Sequence, residues 1–262
     1  MDAHPVERLL PLLNEHHQRL SGTGPVAMAS DGDHTLWRGD VGEAMFEMAV
    51  EEGALKEEAA HHLASEAHTW GVAIASGDAQ NANAIGTALL AAHRTGGYPA
   101  PPAFAMMAWA FAGWPTDELD AYCERFLDRF GFEERIRASL TPALAWAAEH
   151  DVPFWLVSAS PLFVAAAAAV RLGLPRDRVV AMTPAVAQGV VLPYLAIPAT
   201  YGAGKPARLR EKTDAQLLAG MGDSDYDSAL MEAAAIAVAV GSKPSLMKRL
   251  EAMTHPVVLV ED

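Results

Sequence analysis

The chain has 262 residues, 51% of them hydrophobic, which is enough for one large α/β domain or a core domain with a substantial insertion. Its formal net charge of −14 argues against a nucleic-acid partner, because binding to a phosphate backbone needs clustered Lys and Arg. The single cysteine excludes an internal disulfide and a cysteine-based zinc site. Since no apolar run is long enough to span a bilayer and the N-terminus lacks the features of a signal peptide, we expect a cytoplasmic protein with no membrane partner.

The first predicted elements are an amphipathic helix over residues 6–20 and a buried strand over 26–29, which ends in a polar loop at Asp31. Residues 41–132 differ in composition, since Ala, Glu, Met and aromatic residues dominate and β-branched residues are sparse. This composition favours helices, interrupted by a turn-rich joint from Gly96. We therefore predict a helical insertion over 41–132 between two parts of a core, residues 1–40 and 133–262.

Strands and helices alternate after the insertion. We predict strands over 152–157, 215–221, 236–240 and 257–260, with helices between them, and a hairpin of 179–182 with 190–195, separated by Gln188 and Gly189. This alternation predicts an α/β fold with a mostly parallel sheet and helices on both faces. Ligands bind beyond the carboxyl ends of the strands in such sheets, so the polar residues at those ends are the candidate functional residues.

Two carboxylates follow the first core strand, in the sequence Asp31-Gly-Asp33-His-Thr35. A carboxylate can attack phosphorus to form an acyl-phosphate, which divides one difficult displacement into two easier ones. A second carboxyl can protonate the departing oxygen and then accept a proton from the attacking water. The alternative interpretation of this pair, taken alone, is a solvated turn.

An acidic cluster follows the strand predicted over 215–221, in the sequence Gly-Asp-Ser-Asp-Tyr-Asp at 222–227. Carboxylates suit a hard cation with oxygen ligands such as Mg²⁺. The other interpretation is an N-cap of the following helix, since Asp and Ser are preferred there. Both can hold at once, because one Asp can cap the helix while another binds metal.

Ser158 follows an apolar run, and Pro161 lies where a helix begins. A hydroxyl and free N–H groups at a helix N-terminus can bind phosphate, although a plain N-cap serine is equally compatible with the pattern. Lys205 lies in a predicted flexible loop that can bring an ammonium to a phosphate, whereas most loop lysines are merely solvated. Each feature is common alone, but their ordered combination with the two Asp motifs is not.

In this order the motifs resemble the haloacid dehalogenase superfamily in its phosphatase form. The matching residues are Asp31-Gly-Asp33-His-Thr35-Leu36, Ser158 after an apolar strand, Lys205, and Gly222-Asp223-Ser224-Asp225-Tyr226-Asp227. The insertion and the sequence Ser-Ala-Ser-Pro at 158–161 resemble the phosphoserine phosphatase branch. The resemblance implies a Rossmann-like parallel core with an inserted α-helical cap.

The resemblance also implies a role for each matching residue. Asp31 would be the nucleophile and Asp33 the general acid/base, with Thr35 positioning the loop. Ser158 and Lys205 would bind the phosphoryl oxygens, and Lys205 would also neutralise Asp31.

The cofactor that the resemblance implies is Mg²⁺. Its ligands would be Asp31, the backbone carbonyl of Asp33, and Asp223. Asp227 would either bind the metal directly or support the site from outside the set of ligands.

The substrate is suggested by two features of the sequence. Asp40 lies where the phosphoserine phosphatase branch commonly has a carboxylate facing the amine of the substrate. The insertion is rich in Met and Trp, at Trp70, Met106, Met107, Trp109 and Trp114. Because aromatic faces can bind a quaternary ammonium, one hypothesis is a phosphomonoester with an amine or a choline-like cation. The alternative is that these residues form the core of the insertion.

The expected activity is therefore Mg²⁺-dependent hydrolysis of a small phosphorylated metabolite through an aspartyl-phosphate on Asp31. A phosphotransferase that uses the same intermediate shares every motif and stays an alternative. A catalytically silent binding protein of the same fold is a further alternative, disfavoured by the intact Asp31, Asp33, Lys205 and Asp223. The sequence leaves the oligomeric state open.

Overall fold

The structure is a computed structural model that describes residues 5–260, so residues 1–4 and 261–262 of the predicted core lie outside the described residues. Its helices are α1 (Pro5–Ser21), α2 (Val41–Glu51), α3 (Glu57–Thr69), α4 (Ala82–Arg94), α5 (Ala100–Trp109), α6 (Thr116–Phe130), α7 (Phe132–Arg135), α8 (Thr141–Glu149), α9 (Leu162–Arg171), α10 (Gly204–Arg210), α11 (Ser228–Glu232) and α12 (Pro244–Leu250). Its strands are β1 (Val26–Ser30), β2 (Phe154–Pro161), β3 (Val179–Met182), β4 (Pro184–Ala187), β5 (Val190–Leu195), β6 (Gln216–Gly222), β7 (Ala234–Val240) and β8 (Val257–Val260).

Within residues 5–260, one parallel sheet of six strands has the order β3-β2-β1-β6-β7-β8. Ser30 at the end of β1 is paired in register with Leu156 of β2 and Met221 of β6. The chain continues from β1 to β2 and β3 on one side and returns later to β6 on the other. The ends of β1 and β6 therefore lie at a topological switch point, where ligands bind in such sheets.

The central strands β1, β2, β6 and β7 are buried on both faces, as the apolar runs in the sequence predict. Met28 packs on one face in a cluster that includes Leu13 of α1. Ala27 packs on the opposite face with Leu209 of α10 and Leu230 of α11. The predicted α/β fold with a parallel sheet between helical layers is confirmed.

The helix predicted over 6–20 is confirmed as α1, which packs against α8 and the sheet. The indole N–H of Trp146 in α8 donates to the side-chain oxygen of Asn14 at 2.9 Å. No described helix is both long enough and apolar enough to cross a membrane.

The segment predicted to be helical contains α2 to α6. Helix α5 contacts β2 and β5, and the connection from α5 to α6 is hydrogen-bonded to the hairpin of β4 and β5. The Gly113 N–H donates to the Val191 carbonyl at 2.9 Å, and the Thr116 N–H donates to the Gly189 carbonyl at 2.8 Å. That residues 41–132 are a separate domain stays a prediction.

The predicted hairpin was wrong in its first strand. Val179–Met182 is β3, which pairs with β2 at the edge of the parallel sheet. The hairpin is formed instead by β4 and β5 across Gln188 and Gly189, whose φ angles are +50° and +76°. Positive φ at both central residues is what a type I′ turn requires, so the turn was predicted correctly and the pairing was not.

Candidate active site

Asp31 and Asp223 lie side by side because each follows directly after one of two adjacent parallel strands. Asp31 follows β1 and Asp223 follows β6, and the Asp31 N–H donates to the carbonyl of Met221 in β6 at 2.9 Å. Both side chains are buried. The sheet therefore brings together residues that are far apart in the sequence.

The Asp31 carboxylate is held from two directions. Its Oδ1 accepts a hydrogen bond from Lys205 Nζ at 2.5 Å, and its Oδ2 accepts one from Thr35 Oγ1 at 3.2 Å. Burial raises the pKa of the Asp31 carboxyl well above its usual range, whereas Lys205 opposes the rise and the charges of Asp227 and Asp33 add to it. Ionised Asp31 therefore depends on nearby positive charge.

Lys205 lies in the first turn of α10 and not in the predicted flexible loop. Its ammonium is buried and bridges Asp31 Oδ1 and Asp227 Oδ1, each at 2.5 Å. Burial lowers the pKa of Lys205, but the charges of Asp227 and Asp31 outweigh this effect and raise it, so Lys205 carries its proton. Pro206 also lies in the first turn of α10, where a helix tolerates Pro.

Each oxygen of Asp33 has its own set of hydrogen-bond donors. Oδ1 accepts from the Trp37 indole N–H at 2.9 Å and from the Val41 backbone N–H at 2.7 Å. Oδ2 accepts from the Ser160 hydroxyl at 2.6 Å and, at 3.4 Å, from the Ser158 hydroxyl. Because hydroxyl groups can rotate and N–H groups cannot, Oδ2 is the oxygen that can exchange a proton with another molecule.

The acidic cluster after β6 forms a tight turn around Asp227. Asp227 Oδ2 accepts hydrogen bonds from the Ser224 hydroxyl at 2.7 Å, the Ser224 N–H at 3.1 Å and the Asp223 N–H at 3.3 Å. Asp227 Oδ1 accepts from Lys205. Asp227 thus connects the loop that carries Asp223 to Lys205, which in turn contacts Asp31 at the end of the neighbouring strand β1.

Asp31, Asp223 and Asp227 are the residues that could hold a metal ion. All are buried, and each offers an oxygen atom that lies within 4.8 Å of those of the other two. A buried set of carboxylate oxygens with no soft sulfur ligand fits a hard divalent cation. Within residues 5–260, no other group of His, Cys, Asp or Glu side chains has this arrangement.

A cavity of about 250 Å³ opens over these residues. Its lining comprises Asp31, Asp33, His34, Asp40, Ala100, Phe104, Ala159, Ser160, Tyr201, Lys205, Asp223, Ser224, Tyr226, Asp227 and Lys243. Phe104 of α5, Tyr201 and Tyr226 form an aromatic wall, with ring centroids 5.9 Å apart for Phe104 and Tyr201 and 4.7 Å apart for Tyr201 and Tyr226. A second, mostly apolar cavity of about 300 Å³ lies between α6, α9 and the hairpin. It is slightly larger, but the carboxylate cluster does not line it, so we do not take it as the candidate site.

The Met and Trp residues noted in the sequence do not form that aromatic wall. Met106, Met107 and Trp109 are buried in a hydrophobic core that also contains residues of the sheet, and Trp114 packs against it. Trp70 is more exposed, with its indole N–H bonded to Glu66. None of these residues is among those described as lining the cavity, as expected if they form the core of the insertion.

Ser158 and Asp40 are less open to the cavity than the sequence suggests. The Ser158 hydroxyl is fully buried, accepts the Ser160 N–H at 2.9 Å and does not belong to the cavity lining. Asp40 does line the cavity, and it also caps α2 by accepting the Glu43 N–H at 2.7 Å. The serine that reaches both the cavity and Asp33 is Ser160.

Sequence reasoning did not assign a role to Ser160, Lys243, Tyr201 or Tyr226. The spacing of Ser160 from Ser158 offers a weak signal, since residues two apart in a strand point to the same side. Lys243 follows β7, another strand whose carboxyl end faces the site, so its position was the available signal. For Tyr201 and Tyr226, the sequence offers no signal beyond their closeness along the chain to Lys205 and Asp227.

Solved structures of other proteins have a fold similar to that of this chain. Solved structures with a similar fold include a protein of unknown function from Bordetella pertussis Tohama I, with 20% identity and a TM-score of 0.67 over 90% of this chain and 99% of that one. A HAD family hydrolase from Salmonella enterica subsp. enterica serovar Typhi has 17% identity and a TM-score of 0.55 over 91% of this chain and 68% of that one. A phosphoserine phosphohydrolase-like protein from Francisella tularensis subsp. tularensis has 13% identity and a TM-score of 0.50 over 88% and 94%.

No protein with a curated description matches the sequence significantly. The family model for haloacid dehalogenase-like hydrolases, however, matches residues 28–232, which include both Asp motifs, Ser158 and Lys205. This match covers most of the chain and agrees with the resemblance noted in the motifs. The chain therefore belongs to the family of haloacid dehalogenase-like hydrolases.

Proposed function

We propose that this hydrolase is a Mg²⁺-dependent phosphomonoester phosphatase that forms an aspartyl-phosphate on Asp31. The observation that carries the proposal is the Asp31 carboxylate, which is buried at the base of the cavity, 2.5 Å from the Lys205 ammonium and beside Asp223. A solvated turn aspartate needs neither a buried lysine nor a neighbouring carboxylate. A nucleophile for a phosphoryl group needs a fixed position and positive charge around it.

The proposed Mg²⁺ ligands are Asp31, Asp223 and the backbone carbonyl of Asp33. When bound, the ion supplies positive charge that offsets the charge of the phosphoryl oxygens. Asp227 is proposed to support this site and not to be a main ligand, because both of its oxygens already accept hydrogen bonds from Lys205 and from the loop. Lys205 and Ser158 are the proposed phosphate-binding side chains, and Ser158 must turn its hydroxyl away from Asp33 to take part.

In the first step, an Asp31 oxygen forms a bond to phosphorus while the bond from phosphorus to the leaving oxygen breaks. Asp33 gives the leaving oxygen a proton from Oδ2, since N–H donors occupy Oδ1. The Ser160 hydroxyl, 2.6 Å from Oδ2, keeps that oxygen oriented. The products of this step are the free alcohol and phosphorylated Asp31.

In the second step, a water oxygen attacks phosphorus and the bond from phosphorus to Asp31 breaks. Asp33, now ionised, takes the proton from the water, and inorganic phosphate leaves. Lys205 stabilises the negative charge that returns to Asp31. The same pair of aspartates thereby completes the cycle in its starting state.

The proposed substrate is a small phosphorylated metabolite whose leaving group carries an amine or a quaternary ammonium. Asp40 supplies a carboxylate in the cavity, and Phe104, Tyr201 and Tyr226 supply aromatic faces. Residues 41–132 are proposed to act as a cap over the site, since α5 brings Phe104 to the cavity. Closure of such a cap excludes water and selects the leaving group.

The test is hydrolysis of p-nitrophenyl phosphate by the wild type and by Asp31→Asn. We expect Mg²⁺-dependent turnover that EDTA abolishes and that falls by at least about 1,000-fold in the variant, because no other nucleophile replaces Asp31. The matched control is Asp214→Asn, an exposed residue that precedes β6 at the opposite end of the strand from Asp223. Wild-type activity in Asp31→Asn would refute the assignment.

Two further measurements make the test specific. Peptide mass spectrometry of acid-quenched reactions should find the phosphoryl group on Asp31. Addition of an acceptor alcohol separates hydrolysis from phosphoryl transfer, since a phosphotransferase yields the phosphorylated alcohol and a phosphatase yields inorganic phosphate.

A further inference from the structure

A second lysine contacts the carboxylate cluster and has no part in the proposed mechanism. Lys243 follows β7 and precedes α12, and its ammonium hydrogen-bonds to Asp223 Oδ2. The Asp223 side chain is 9% exposed, whereas that of Lys243 is 54% exposed. The pair therefore joins a buried carboxylate at the base of the site to a lysine that can move out into solvent.

The two lysines of the cavity are held very differently. Lys205 is buried with only 3% of its side chain exposed, and it bridges Asp31 and Asp227 at 2.5 Å each. Among the described residues of the cluster, Lys243 bonds to Asp223 alone, and its side chain is half exposed. Lys205 is thus a fixed part of the site, and Lys243 is a cation that can leave it.

We propose that Lys243 is an exchangeable counter-ion of Asp223. Its ammonium contacts the Asp223 carboxylate when no metal is bound, and a divalent cation that binds to this carboxylate displaces it. The inference rests on the metal site of the proposed function. In this proposal Lys243 is a positioning residue for Asp223. It weakens metal binding, because the metal ion must displace its ammonium.

The physical reason is competition between two cations for one oxygen-rich position. An ammonium in contact with Asp223 Oδ2 repels a divalent ion that approaches the same carboxylate. The carboxylate therefore cannot bind both cations as strongly as it binds either one alone. The contact with Lys243 holds the Asp223 side chain in place, but the ammonium lies where a divalent ion would have to approach Oδ2. Lys243 therefore lowers the affinity of the site for metal.

The loop that carries Asp223 has a second attachment to the same helix. The Ser245 hydroxyl in the first turn of α12 donates to Asp225 Oδ1 at 2.9 Å. Asp227 also holds the loop through Ser224. A change at Lys243 therefore removes the ammonium while these hydrogen bonds continue to hold the loop.

The experiment measures the affinity of the full chain for Mg²⁺ by isothermal titration calorimetry, and for Mn²⁺ by the electron paramagnetic resonance signal of the free ion. We expect Lys243→Gln to bind both ions about fivefold more tightly than the wild type, since a half-exposed ion pair must no longer be broken. Lys243→Arg keeps the charge and should bind like the wild type. The control is Lys248→Gln, an exposed lysine in α12 that is not part of the cavity lining, and its affinity should not change.

A second readout needs no metal. In EDTA, Lys243→Gln should melt at a lower temperature than the wild type, because Asp223 then lies uncompensated near Asp227. Saturating Mg²⁺ should remove that deficit. Equal or weaker metal affinity in Lys243→Gln would overturn the proposal and leave Lys243 as a surface partner or a structural support of the loop.

Failure of this inference can be told apart from failure of the proposed function. A wild-type protein that binds no divalent ion and hydrolyses no phosphomonoester would refute the proposed function itself. A wild-type protein that binds Mg²⁺ and is active, with unchanged affinity in Lys243→Gln, would refute only the role of Lys243.

Discussion

The single carboxylate of Asp40 both caps a helix and faces the cavity. Its Oδ1 caps α2 by accepting the Glu43 N–H, and its side chain lines the cavity. Burial and then the charge of Asp33 raise the pKa of Asp40 well above its usual value, while the hydrogen bond from the Glu43 N–H opposes the rise. The folded protein therefore carries this carboxylate in a place that disfavours its ionised form, which a cationic ligand would stabilise.

The substitution Asp40→Asn separates the charge from the cap, because Asn is an equally good N-cap. The pKa of Asp40 is higher in the folded protein than its ordinary value of 3.8, so ionisation of Asp40 disfavours the folded state. The wild type therefore loses stability relative to the variant as the pH rises from about 3.8 through the raised pKa. We expect Asn to increase the free energy of unfolding at pH 7 in EDTA and to leave it unchanged near pH 3. Urea unfolding at a series of pH values measures this difference.

A stability difference that stays constant over the whole pH range would show that charge is not its cause. The same variant also reports on the substrate. If Asp40 binds an amine, hydrolysis of an amine-bearing phosphomonoester should fall, whereas hydrolysis of p-nitrophenyl phosphate should change little.

At the scale of the secondary-structure element, the end of β6 packs very closely against the turn that follows it. A Cβ atom added to Gly222 would lie 2.2 Å from Asp227 Cβ and 2.6 Å from Asp227 Cγ. No side chain fits there unless Asp227 moves, and Asp227 holds both Lys205 and the loop of Asp223. The small residue is therefore what permits the strand end to meet the carboxylate cluster.

We expect Gly222→Ala to lower the free energy of unfolding by about 1–3 kcal/mol, the usual effect of overpacking a filled site. It should also weaken Mg²⁺ binding, because displaced Asp227 no longer positions Asp223. The matched control is Gly77→Ala, since a Cβ at Gly77 meets nothing within 4 Å. Urea unfolding and titration calorimetry of both variants provide the test, and a loss of stability no larger than that of Gly77→Ala would contradict the packing argument.

Elements with a purely local signal could be predicted from the sequence. The buried run before Asp31 predicts β1, and the apolar run before Gly222 predicts β6, because each run needs only its own residues to be recognised. Val179–Met182 was assigned to the hairpin since it stands near Gln188 in the sequence. Its true partner is β2, and such a non-local pairing leaves no local trace.

In the molecule as a whole, the order of the motifs predicted which residues lie together at the site, but not the side-chain contacts that each of them makes. Asp31 and Asp223 could be placed together because parallel strands align their carboxyl ends. The contact of Ser160 with Asp33 and that of Lys243 with Asp223 depend on how closely segments far apart in the sequence approach one another. Side-chain contacts of this kind follow from packing, which the sequence pattern does not encode.

The charge of the whole molecule provides the last prediction. A net charge of −14 opposes folding through self-repulsion, so any salt should raise the melting temperature by screening. A bound divalent ion adds stability by mass action, about 2.7 kcal/mol at a hundred times its dissociation constant, which is roughly 5–10 °C for a chain of this size. We therefore expect MgCl₂ to raise the melting temperature well beyond NaCl of equal ionic strength.

The substitution Asp223→Asn distinguishes the two effects. It removes a proposed metal ligand and changes the net charge by a single unit, so the response to NaCl should be retained while the additional response to MgCl₂ disappears. Differential scanning calorimetry of both proteins in the two salts measures this. If Asp223→Asn kept the full additional response to MgCl₂, the stabilising ion would bind elsewhere on the acidic surface, and the carboxylate cluster between β1 and β6 would not be the metal site.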